Sequence, residues 1–120
     1  MADGPLTPEA RRRQLEQARE LFNTGEYWHA HEALETVWRS IIDEAERRPW
    51  QGLIKAAAAL LHLGRGNRHG TVVVGAAALE KLAGPQHPAV EFDTVQFRAA
   101  LERALAGMGN PPRLEFRPDA

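Results

Sequence analysis

The chain has 120 residues, enough for one domain with an apolar core that needs no covalent staples. Fifteen Lys and Arg stand against sixteen Asp and Glu, so no basic excess points to nucleic acid and no acidic block suggests a solvating tail. Cysteine is absent, which excludes disulfides, thiolate metal sites and cysteine catalysis and leaves His, Asp and Glu to serve any metal.

Residues 1–5 lack a charged stretch followed by an apolar one, so no leader is read there. The longest apolar run, Ala56 to Leu61, is far short of the roughly 20 residues that a membrane helix needs. The expectation is a cytoplasmic protein with neither membrane nor nucleic acid as partner.

Thr7-Pro8-Glu9 reads as a helix start, with Thr7 as cap, Pro8 in the first turn and Glu9 at the positive end of the dipole. The first helix runs to about Asn23, with Leu15, Ala18, Leu21 and Phe22 inward, and Gly25 ends it. A second helix spans about Glu26 to Ala45, because Tyr27, Ala30, His31, Leu34, Val37, Trp38, Ile41 and Ile42 recur at three-four spacing. His29, Thr36 and Asp43 take its opposite side. Pro49 opens a third helix that continues to about Leu63 and is apolar nearly all round, as a central helix is. Its one polar stripe is Gln51, Lys55, Ala58 and His62.

Gly64 to Gly70 reads as a glycine-rich turn. The fourth helix covers about Thr71 to Leu82 despite the strand propensity of Val72-Val73-Val74. Asp93 or Thr94 caps a fifth, with Val95, Leu101 and Leu105 inward, and Gly107 to Pro112 stops it. The fold expected is all-α: a single-domain antiparallel bundle of about five helices over 1–120, with a helical core at 7–106 and an extended tail at 107–120.

Phe22-Asn23-x-Gly25-x-Tyr27-x-x-Ala30-His31-Glu32-x-Leu34-Glu35-x-x-Trp38-Arg39 resembles the signature of the domain of unknown function 309 family. A second block agrees: Gln51-Gly52-Leu53-Ile54, Ala57-Ala58-Ala59, His62 and Gly66-Asn67. Gly75-Ala76 and Leu79 to Leu82 fit as the helix that follows, displaced by the inserted run Thr71 to Val74. The resemblance covers about Leu21 to Leu82 and implies a small all-helical fold. It brings no demonstrated reaction, and the label of metal-dependent hydrolase sometimes attached to such proteins is itself inferred from the His-Glu motif.

Residues three and four apart are neighbours on a helix, so His31 and Glu35 stand together. The sharpest reading is one divalent metal, zinc or manganese, held by His31, Glu35 and His62, with Glu32 as catalytic acid or base. Trp38, Arg39, Gln51, Lys55 and Asn67 would then orient ligands or a substrate. That arrangement suits a hydrolase whose substrate the sequence does not name. His31 to Glu35 lacks the second histidine of the zincin motif, and helix three lacks the carboxylate pair that a magnesium pyrophosphohydrolase site needs.

The alternative is a non-enzymatic binding or scaffold protein in which His31, Glu35 and Arg39 or Lys55 form a buried structural network, tolerated when fully satisfied. A pocket for a small-molecule ligand is a third reading. His29 reads as a surface residue, His69 and His87 as loop residues, and Arg11-Arg12-Arg13 as a solvated face. Trp28, Trp38 and Trp50 read as packing, and an exposed Trp28 would favour a homodimer face. Gly64 and Gly66 are explained by a helix C-cap, and Ser40 is the only serine, so no serine-histidine-aspartate triad exists.

Overall fold

Thr7 accepts a hydrogen bond from the Ala10 N–H at 3.1 Å and so starts α1 (Pro8–Asn23), which buries Leu15, Ala18 and Phe22. The structure, a computed structural model, describes residues 6–119. The segment 1–5, read above for a leader, and residue 120 lie outside the described residues. Gly25 turns the chain with a φ of 84°, a left-handed conformation that glycine adopts without a Cβ clash. Then α2 (Tyr27–Arg39) buries Ala30, Ala33, Leu34 and Val37.

The next boundary differs from the sequence expectation. α2 ends at Arg39 rather than near Ala45, and α3 (Glu44–Gly64) begins well before Pro49. A cap decides it. The Asp43 carboxylate accepts from the Glu46 N–H at 3.1 Å, and Glu44 and Glu46 sit at the positive end of the helix. Pro49 falls inside the helix, where it forfeits one backbone bond. Ile42 therefore lies in the connection, 86% exposed, instead of in the core.

α4 (Arg68–Lys81) also starts early, because Asn67 caps it by accepting from the Gly70 N–H at 3.0 Å. In α5 (Thr94–Leu105) the Asp93 cap accepts from Gln96 at 3.0 Å, and Phe97, Leu101 and Ala104 face inward. Val95, expected inside, is exposed: it lies two residues, about 200°, round the helix from Phe97.

α2 packs on both α1 and α3, and α3 packs on α4. Two glycines set how closely helices approach. A Cβ on Gly52 would lie 2.6 Å from Leu82 Cγ, and one on Gly75 would lie 2.8 Å from Leu105 Cδ1. The segment after α5 is pinned by Asn23, whose side chain donates to Leu114 O at 3.0 Å and accepts from Leu114 N at 2.7 Å. Leu114 is fully buried, and an isolated antiparallel bridge joins Phe92 to Phe116. Among the described residues no strand forms.

Of the three successive arginines of the first helix, Arg12 and Arg13 are exposed as expected, whereas Arg11 is half-buried. Arg11 donates to both carboxylate oxygens of Glu91 at 2.7 and 2.9 Å and to Glu46 at 3.2 Å. Burial works against its charge, yet these carboxylates outweigh that and hold its pKa above the usual arginine value. Arg12 lies over the Phe116 ring at 4.0 Å. Among the described residues no helix is long and apolar enough to cross a membrane.

Candidate functional site

α2 and α3 run side by side, and their facing stripes open a cleft. From α2 come Glu35 and Trp38; from α3 come Gln51, Ile54 and Lys55; the end of α4 adds Lys81. The cavity measures about 340 Å³. That volume is at the small end of the range for ligand pockets, roughly 300–1,000 Å³. The helical repeat explains the grouping, since 35 and 38, and 51, 54 and 55, are three or four apart. Lys81 arrives because Gly52, having no side chain, lets Leu82 lie against α3.

The Glu35 carboxylate is shared. Arg39 Nη2 lies 3.6 Å from one oxygen and His31 Nε2 lies 3.8 Å from the other. The second distance is too long for a hydrogen bond. His31 stacks on Trp28, with ring centres 5.4 Å apart. The Arg47 guanidinium lies 4.2 Å from the Trp38 ring centre and donates to the Ile41 carbonyl at 2.8 Å.

Three polar atoms around this face are buried without a hydrogen-bond partner: His31 Nδ1, Trp38 Nε1 and Gln51 Oε1. The last two belong to residues of the cleft wall. The expected His31–Glu35 pairing thus falls short of a satisfied network, because neither histidine nitrogen is hydrogen-bonded.

The residues proposed as metal ligands are not gathered. His62 Nδ1 is 3.1 Å from the Asn67 amide nitrogen, and the ring packs against Gly70, where a Cβ would lie 2.7 Å from His62 Cγ. Both His62 and Asn67 therefore serve the α3–α4 turn. Among the described residues no group of three or more His, Asp or Glu is placed to hold a metal ion. Glu32 is exposed and pairs with His29 at 3.4 Å. It borders a groove with Gln14 and Gln17 between α1 and α2, not the cleft. The donor set does not fit the divalent metal that the sequence suggested.

A profile of the family described as Domain of unknown function (DUF309) matches residues 15–74, half of the chain. The chain belongs to this family. The match takes in every cleft residue except Lys81. An uncharacterized protein of Aquifex aeolicus (strain VF5) is 35% identical over 104 residues, which are 85% of this chain and 31% of that protein. The chain thus spans about a third of the length of the curated relative it matches. No solved structure matches it.

Within this family member, the structure brings together Glu35, Trp38, Gln51 and Lys55 of the sequence-proposed residues, with Arg39 and His31 alongside through Glu35. It separates Glu32, His62 and Asn67 from them. Sequence reasoning missed Lys81 and Ile54 as cleft residues. One signal for Lys81 was available: it and Lys55 are the only lysines in the chain.

Proposed function

We propose that this family member is a non-enzymatic binding protein whose site for a small molecule is the cleft between α2, α3 and the end of α4. The observation that carries the reading is the pair of unpartnered buried atoms, Trp38 Nε1 and Gln51 Oε1, in the wall of one cavity. A buried polar group without a partner costs about 1–3 kcal/mol, and native proteins keep few. A bound molecule that offers an acceptor to Trp38 and a donor to Gln51 would supply the missing partners.

The reading of a metal-dependent hydrolase has less support. It needs His62 beside His31 and Glu35, and it needs Glu32 at the same site. The buried-network reading has the His31–Glu35 pair in its favour, but leaves His31 Nδ1 unexplained. The 54% exposed Trp28 ring supports pairing of two copies.

Trp38→Phe tests the binding reading, since it keeps an aromatic ring under Arg47 and removes the N–H together with the second ring of the indole. Ligand found by screening wild-type protein should bind the variant about tenfold more weakly, the equivalent of one hydrogen bond. Equal affinity in the two proteins would refute the role given to Trp38.

A further inference from the structure

The arginines and lysines of this chain do different work. Of its fifteen cationic residues only Lys55 and Lys81 are lysines, and both line the cleft. The arginines carry the structural contacts: Arg11 holds Glu91 and Glu46, Arg47 covers Trp38, Arg12 and Arg19 cover Phe116, and Arg98 donates to the Leu79 carbonyl at 2.9 Å. Planar guanidinium suits stacking and forked bonds, whereas ammonium is a compact point charge with three donors. Neither lysine has an ion pair or hydrogen bond within the described residues, although both come from one small cavity. The carboxylate beside them, Glu35, is taken up by Arg39 and His31.

We propose that the ligand is a small organic anion, a carboxylate or phosphate carrying an adjacent N–H or O–H group, gripped between Lys55 and Lys81. This rests on the reading of the cleft as a ligand site. The lysine ammonium groups and the Trp38 indole are donors only. They match the oxygens of one anionic group. Gln51 Oε1 and Glu35 are acceptors, and they match a hydroxyl or amine next to it. Among the described residues neither ammonium has a carboxylate within ion-pair distance, and an anion in the cavity would supply that partner.

The lysine count makes the test clean. Reductive methylation with 13C-formaldehyde labels Lys55, Lys81 and the N-terminal amine while keeping their charge, so two lysine signals report on the cleft. Glycerol 3-phosphate, lactate and inorganic phosphate are titrated into the labelled protein, with glycerol and indole as neutral counterparts. The expected result is saturable movement of both lysine signals with at least one organic anion and none with glycerol. The stronger of glycerol 3-phosphate and lactate tells phosphate from carboxylate, and inorganic phosphate alone should bind more weakly than either. Lys55→Gln and Lys81→Gln should each weaken binding about tenfold, while Lys55→Arg, which keeps the charge, should weaken it less. Circular dichroism confirms that the variants are folded.

If indole moves the Trp38 indole N–H signal in nitrogen-15-labelled protein while no anion moves either lysine, the anion is refuted and the cleft survives as a ligand site. If no compound moves the lysine or Trp38 signals, and calorimetry detects no binding of any of them to unmethylated protein, both proposals are overturned.

Discussion

Gly52 and Leu82 are in direct contact: a Cβ on the glycine would sit 2.6 Å from Leu82 Cγ and 3.2 Å from its backbone nitrogen. The contact links packing to the cleft, because Lys81 is the residue before Leu82 and lines the cavity opposite Gln51 and Lys55. With a backbone atom so near, rotation of the leucine alone cannot make room.

Gly52→Ala should therefore push the end of α4 away from α3. The expected cost is about 1–3 kcal/mol, the usual range for overpacking a tight contact. Denaturant unfolding measures it. The 13C-methyl-lysine signal of Lys81 should move in the variant while that of Lys55 stays nearly fixed. An unchanged Lys81 signal would show that Gly52 does not position it.

Gln51→Met removes an unpartnered buried oxygen and keeps the side-chain volume. An orphaned polar atom is a net cost, so the variant should be as stable as wild type or more so, by up to about 1 kcal/mol. Ligand binding should weaken in the same protein. Such opposed changes mark a residue kept for function, whereas a loss of 2 kcal/mol or more, on the order of a broken buried network, would mark Gln51 as structural.

His31→Ala separates the metal and network readings from the cleft. The histidine makes no hydrogen bond, and its ion pair with Glu35 is 3.8 Å long and partly exposed. The expected loss is below about 1 kcal/mol, mostly from the Trp28 stack. Protein purified without tag or chelator should carry no stoichiometric metal that disappears in this variant. One equivalent lost on substitution, read by elemental analysis, would restore the metal reading.

Trp28→Ser tests pairing of two copies. If the exposed indole sits in a homodimer contact, sedimentation should show a dimer for wild type and a lighter species for the variant. A wild-type monomer at all concentrations would end that reading.

The helices were legible where the signal is local. Thr7-Pro8-Glu9 and Asp93 announce their caps, and the spacing of Leu15, Ala18 and Phe22 gives a buried face. At the α2–α3 boundary two helix-start signals compete in the sequence, Pro49 and the spacing Asp43-x-x-Glu46, and the structure shows that the second one sets the cap. Two of the six cleft residues, Gln51 and Lys55, were visible as a polar stripe on an apolar helix, and Glu35 and Trp38 in the motif of α2. The same stripe misled at His62, where Asn67 captures the ring before it reaches α2. Side-chain contacts made by loop and tail residues were invisible, whether near or far in the chain. The Gln86 amide donates to the carbonyls of His87, Val90 and Phe92 and accepts from the Thr94 N–H, organising the α4–α5 loop. Asn23 holds Leu114 across 91 residues. No periodicity foretells either.

The most direct test of the central claim is a small-molecule screen followed by nitrogen-15 NMR of the intact protein. Bound compounds should move the Trp38 indole N–H, the Gln51 side-chain amide and the backbone of Ile54 and Lys55, and leave the Gln86 and Asn67 amides in place. Hits that cluster in the Gln14–Glu32 groove or at the α3–α4 turn, or a library that moves no cleft signal, would contradict a ligand site between α2 and α3.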